Sequence, residues 1–446
     1  MASAPRRSVT RVSSARKFDL IRNKLLGHWG TQCADNNPMP VGEPINHSSR
    51  RDRQLAPLLH CGFMLVGVVN TLLGPILPML AARWRLDDAE AGSLFIAQFA
   101  GAMIGSALLG SMIGRWGSLR VMACGYAAMA AAVACLSVDF FWVGLVSVFG
   151  SGFALGVVGP TTNLLVAKIN SERRAAALNI LNFAWALGAV AGPSLIALFA
   201  RDGSLLRPLV GLAALLAVIA LLVARRSFAD SSSGPHQKKL KLEDPARLER
   251  SALLVWASPY ALLVGGLVFI YVGTETATGG WIASYAQRLS ASASGFGTMT
   301  PSFFWAGLLI GRAAAPAVLR WVSETALVLI SLFVAGAGLV VIQVGSSLLT
   351  VSSGACLAGF GLATVFPTTF AIFTRHFGRQ APQLTGFLFV VAGLGGAVIP
   401  WLVGFTSVQF GDLRIGLLIP SFGVACMIVL QIFILRALAP GDLQNR

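Results

Sequence analysis

The sequence predicts an all-α, polytopic membrane protein of twelve transmembrane helices arranged as two pseudo-symmetric bundles of six. Three observations carry that prediction. Hydrophobic residues make up 55% of the 446 positions and charged ones only 12%, whereas a soluble domain carries about 25% charged residues. From Leu55 onward, apolar runs of the roughly 20 residues needed to cross the hydrocarbon recur twelve times. The stretch from Gly152 to Thr162 (GFALGVVGPTT) returns 207 residues later, from Gly359 to Thr369 (GFGLATVFPTT). The same offset carries Leu187-Gly188 and Pro193 onto Leu394-Gly395 and Pro400, and one residue less aligns Gly101 to Gly105 with Gly307 to Gly311. Three matches in chain order are the trace of a duplicated bundle.

Residues 1–53 are rich in Arg and Ser and contain no long apolar run, so they lack the core of a secretory signal and are read as a disordered cytoplasmic tail. The N-terminal bundle, 54–224, takes spans 55–80, 91–113, 119–138, 141–167, 175–200 and 205–224. The polar, basic stretch 225–252, with Ser231 to Pro235 and Lys238 to Lys241, reads as a cytoplasmic linker. The C-terminal bundle, 253–438, takes spans 253–285, 296–319, 325–343, 347–373, 382–408 and 414–437, and 439–446 is a second cytoplasmic tail. Long continuous apolar runs specify helices, since the strands of a membrane barrel alternate. Gly101/Gly105 and Gly110/Gly114 form GxxxG pairs suited to close helix packing. Pro75, Pro78, Pro160, Pro193, Pro367 and Pro400 interrupt helices at bends or gates.

The formal charge of +16 is explained by where it lies. With the N-terminus inside, 27 of the 34 Lys and Arg fall on the cytoplasmic side, six outside, and one, Arg312, within a span. That is the positive-inside pattern; it places both termini in the cytoplasm of a multi-pass plasma (inner) membrane protein and removes the argument for nucleic acid. The six cysteines and five histidines show no metal or disulfide spacing, no phosphate-binding loop appears, and no Ser/His, paired-carboxylate or HExxH arrangement lies in the spans, so neither a resident cofactor nor an enzyme is expected.

Two bundles of six helices joined by a polar connector resemble the major facilitator superfamily. Gly110 to Arg120 is similar to that family's loop motif between the second and third helices; Arg115, Gly117 and Arg120 fit, but Gly114 stands where the motif usually has an aspartate, so the charge latch it normally implies has no carboxylate here. The seventh span, Tyr271 to Tyr285, resembles the YVGxE, GGW and Tyr pattern of fucose-permease-like and sodium-dependent-glucose-transporter-like sugar transporters, and Gly311-Arg312 also fits that group. The resemblance implies alternating access for a small polar solute, a hexose above all, by proton-coupled symport. Gly188 to Pro193 also resembles part of the fifth-helix motif of proton-coupled drug and metabolite exporters, which is the competing reading; a non-transporting sensor or scaffold is the alternative from another class.

Glu275 is the only Asp or Glu deep inside a span. A charge at a helix centre costs about 2.5 to 3.5 kcal/mol on insertion scales, so this carboxyl needs a cavity, a partner or a proton. Arg312 is the natural partner, and the pair is read either as the proton-coupling device or as a structural ion pair. Tyr271, Glu275, Thr278 and Tyr285 fall near one helical face. Asn70, Gln98, Asn163, Asn179 and Asn182 are amides satisfied either by neighbouring helices or by ligand hydroxyls. Trp185, Trp281 and Trp305 are candidates for stacking on a pyranose ring. The expected partners are a monosaccharide and the lipid bilayer, the coupling ion is H+ or Na+, and the expected state is a monomer.

Overall fold

The structure, a computed structural model, describes residues 50–170, 173–200, 204–231, 258–290, 294–378 and 381–437. Residues 1–49 of the expected N-terminal tail, most of the connector and the C-terminal tail lie outside the described residues. The elements of the first half are α1 (Arg50–Thr71), α2 (Leu73–Trp84), α3 (Asp88–Trp116), α4 (Ser118–Cys135), α5 (Phe141–Ile169), α6 (Arg174–Phe199) and α7 (Leu206–Ser231). Those of the second are α8 (Pro259–Leu289), α9 (Ser294–Val318), α10 (Glu324–Val344), α11 (Leu348–Leu362), α12 (Val365–Phe377), α13 (Ala381–Phe410), α14 (Leu413–Gly416) and α15 (Leu418–Ala437). Ten stretches are long and apolar enough to cross a membrane, and α1 with α2, bent by 44° at their break, makes an eleventh. α9 completes the set of twelve crossings; it carries Arg312, Pro301 and Pro316. α7 runs on to Ser231, into the segment expected to be linker.

Prolines explain the breaks. Pro75 has no N–H for the Thr71 carbonyl one turn earlier, and the first crossing bends there. Pro367 likewise strips the Ala363 carbonyl of its helical donor, and the tenth crossing is interrupted between α11 and α12. The repeat mates Pro160 and Gly156 lie within α5, where the helix runs on unbroken. The two carbonyls opened in the repeat find side chains from the neighbouring helix: Ser106 Oγ donates to the Gly156 carbonyl at 3.0 Å, and Arg312 Nε to the Ala363 carbonyl at 3.4 Å. Ser106 and Arg312 occupy equivalent places in the two halves.

The repeated glycines are contact points between helix backbones. A Cβ on Gly101 or Gly105 of α3 would overlap the Phe149 or Phe153 carbonyl of α5, and one on Gly152 the Gln98 carbonyl in return. In the second half Gly307 of α9 meets the Cys356 carbonyl and Gly359 of α11 the Phe304 carbonyl. Gly188 of α6 lies on the Met64 carbonyl of α1 just as its mate Gly395 of α13 lies on the Phe269 carbonyl of α8. The first glycine of the exporter-like segment is thus accounted for by packing that both halves share.

Between the halves, contacts gather toward one end. α3 and α13 touch at Asp88 and Gly404, at Gly92 and Trp401, at Phe99 and Gly396, and at Met103 and Gly393. Further along they part: positions Gly110 and Gly114 on α3 and Gly386 on α13 have nothing within 4 Å of where a side chain would begin. The second GxxxG pair therefore packs against no described residue, contrary to the expectation from its spacing. Within the second half, at the same end, Trp281 Nε1 donates to the Pro400 carbonyl at 2.8 Å. Ser302 of α9 donates to the Val190 carbonyl of α6 at 2.7 Å, which leaves Ser194 as the donor in the 2.9 Å Ser194–Ser302 bond. The bundle is closed at the Asp88 end and cleft at the Trp116 end.

The packing predicts that Gly152→Leu and Gly359→Leu each lower the stability of the purified protein by about 1–3 kcal/mol or more through overpacking, while Gly110→Ala does not. Thermal unfolding in detergent measures this; equal melting temperatures for all three variants would contradict the assignment of these glycines.

Candidate functional site

α8 packs against α2, α9, α13 and α15, so its middle has no lipid-facing side. There Glu275 keeps 16% and Arg312 31% of their side-chain surface accessible. Tyr271, one turn before Glu275 on the same face, donates its hydroxyl to Glu275 Oε1 at 3.0 Å. Arg312 Nη2 stands 3.8 Å from the same oxygen. Both contacts use Oε1, and among the described residues Oε2 receives no hydrogen bond. The carboxylate is held but keeps an unused acceptor.

The neighbours make this spot a junction. The Arg312 guanidinium lies 5.9 Å from the ring centroid of Trp185 on α6, in the other half of the molecule. Trp185 meets Trp305 of α9 edge to face, centroids 5.9 Å apart at 89°, and the buried Trp305 Nε1 has no hydrogen-bond partner among the described residues. Tyr271 stacks on Phe366 at 5.9 Å. Arg312 thus touches three things at once: the carboxylate, the kink carbonyl of its own half, and an aromatic ring of the opposite half.

Of the residues expected to form the site, Tyr271, Glu275, Arg312, Trp185 and Trp305 come together. Thr278 is buried and turns its hydroxyl back to the Thr274 carbonyl at 2.8 Å. Trp281 is buried and spends its N–H on Pro400 at the closed end. Tyr285 is buried a turn beyond, its hydroxyl unpartnered. Asn163 and Asn182 satisfy their own helices, donating to the Gly159 carbonyl at 2.9 Å and the Leu178 carbonyl at 2.8 Å, a third use beside the two expected for amides. Asn70, at the α1–α2 break, and Asn179 are exposed, and Gln98 is buried between α3 and α5. Phe366 was missed by sequence reasoning. No signal set it apart in the sequence from the other 26 of the chain's 27 phenylalanines.

Comparison with known proteins gives a consistent result. The family model described as Major Facilitator Superfamily matches residues 59–400. The glucose/mannose transporter of Bacillus subtilis (strain 168) is 22% identical over 357 residues, 78% of this chain and 86% of that protein. The L-fucose-proton symporter of Escherichia coli (strain K12) is 27% identical over 240 residues, 51% of this chain and 50% of its own. Among solved structures, the nucleoside transporter NupG superposes with a TM-score of 0.68 at 16% identity, over 87% of this chain and 99% of that one. The fucose transporter FucP in its outward conformation gives 0.59 at 19%, over 86% and 99%. At these identities the structural matches speak for the fold.

The geometry predicts energetic coupling between Glu275 and Arg312. Loss of stability on Arg312→Gln should be smaller in a Glu275→Gln background, with a coupling of about 0.5–3 kcal/mol, because the single variant strands a carboxylate. Melting temperatures of the four proteins at pH 8 test it; strictly additive losses would show that the two side chains do not interact.

Proposed function

The chain belongs to the Major Facilitator Superfamily, and on that premise we propose that it is a secondary active transporter that carries a hexose together with a proton by alternating access. The observation that carries this reading is the placement of Glu275: a carboxylate held by Tyr271 and Arg312, with an oxygen to spare, beside the point where Trp185 of the first half meets Arg312 and Trp305 of the second. The names of the sugar-transporting relatives support the solute class. Arg312 supports a proton as the coupling ion, since a guanidinium 3.8 Å from the carboxylate already fills the place a metal cation would take there, whereas a proton bonds directly to a carboxylate oxygen and releases Arg312.

In this mechanism the protonated Glu275 becomes a hydrogen-bond donor and loosens its hold on Arg312, whose N–H groups then turn to solute hydroxyls. Trp185 and Trp305 flank the site with flat apolar faces and one unpaired N–H, which suits a pyranose ring with its rim of hydroxyls. These two rings belong to different halves, so a sugar that engages both favours their closure around it. Loss of the proton draws Arg312 back to the carboxylate and competes the sugar away. A membrane potential supplies about 2.3 kcal/mol per charge per 100 mV, and a tenfold gradient of a neutral solute costs about 1.4 kcal/mol, so one proton per sugar is sufficient.

The cleft end is the cytoplasmic end in this reading, which places the basic connections inside and makes the structure inward-open. The transporter works as a monomer in the plasma membrane, since both halves and the whole cluster belong to one chain.

Glu275→Gln separates coupling from translocation. In proteoliposomes, hexose counterflow should persist within severalfold of the unsubstituted protein while accumulation driven by an imposed pH gradient disappears. Accumulation that survives the substitution would remove Glu275 from the coupling step, and counterflow absent from the unsubstituted protein for every hexose would reject the substrate class.

A further inference from the structure

We propose that Asp88 and Arg288, joined by Ser407, form the gate that holds the closed end shut, and that this contact sets the balance between the two facing states. Sequence reasoning saw these residues only as loop charges. They come from both halves: Asp88 opens α3, Arg288 ends α8, and Ser407 lies near the end of α13. Arg288 grips both carboxylate oxygens, Nη2 on Oδ1 and Nη1 on Oδ2, the latter at 2.9 Å. Ser407 Oγ donates to Oδ2 at 2.5 Å. The fork-on-carboxylate arrangement is directional and joins one helix of the first half to two of the second.

The local chain is built to place that carboxylate. Arg85 takes a left-handed conformation, φ 55°, at the end of α2, its N–H closing on the Ala81 carbonyl, and the backbone turns sharply there. Asp87 then caps α3, accepting from the Glu90 N–H at 2.8 Å while Glu90 accepts from the Asp87 N–H at 3.1 Å. Asp88 falls in the first turn, where the helix dipole favours a negative charge. The surrounding backbone is close: Gly404 lies against the Asp88 carbonyl, and a side chain on Gly92 would meet Trp401 Cα at 3.0 Å.

The gate is made to open. It sits at a water-accessible cleft of about 610 Å³ lined by Arg85, Trp281, Gln287 and Arg288 among others, and the Arg288 side chain is 50% exposed against 13% for Asp88. An ion pair this wet biases an equilibrium without locking it. If the halves swing apart at this end, Asp88 leaves both Arg288 and Ser407, so the contact favours only the present state and its removal favours the other. The inference holds whichever solute is carried.

The test is a distance measured across the closed end. Spin labels at Val138→Cys, between α4 and α5, and Ser346→Cys, between α10 and α11, report on opposite halves, with the natural cysteines replaced and the protein in lipid nanodiscs. Asp88→Asn and Arg288→Gln should each raise the population at longer separation by about two- to fivefold. The double variant should rise no further than the stronger single one. Ser407→Ala, which removes one hydroxyl and little else, should shift the distribution in the same direction by less. Unchanged distributions in all three single variants, or a double variant whose shift is the product of the two, would overturn the proposal.

Discussion

Inside a bilayer, a carbonyl that a proline has stripped of its helical donor has to be satisfied by the protein itself. The candidate site depends on that constraint. Pro160 and Pro367 create the same opening in the two halves, and the equivalent positions Ser106 and Arg312 fill it. In the first half a hydroxyl is sufficient. In the second, the donor is a guanidinium, which has N–H groups left over, and these reach Glu275 on one side and Trp185 on the other. The Glu275–Arg312 pair, set in the middle of its crossings rather than at their ends, is therefore built on a structural repair present twice in the fold, once neutral and once charged.

This asymmetry gives the two halves different parts to play. The glycine contacts hold each half together along matching lines, α3 with α5 and α9 with α11, α1 with α6 and α8 with α13. Rigid halves can move only against each other. The contacts between them at the closed end combine close packing of α3 on α13 with polar links, namely Asp88 with Arg288 and Ser407, and Ser194 with Ser302. The polar links can be exchanged for water as the halves move.

The architecture was legible in the sequence because membrane helices declare themselves by length and composition, and because duplication leaves a spacing. Glu275 and Arg312 were legible for a similar reason: a charge in an apolar span has few ways of being accommodated, and pairing was the simplest. Asp88 and Arg288 were not, since a charge in a short connection looks like any solvated residue and its partner lies 200 positions away. The amides misled in a different way. Asn163 and Asn182 bond one turn back along their own helices, a local solution that reveals nothing about a ligand. Gly110 and Gly114 have the spacing of a packing motif yet face open space, because the two halves have separated at that depth.

The account rests on Glu275 taking up a proton when solute binds and moves. The most direct measurement is of pH outside de-energised proteoliposomes when hexose is added. The account predicts a rise in external pH that tracks sugar entry and is abolished when Glu275 carries no titratable group. Sugar entry with no accompanying movement of protons would contradict it.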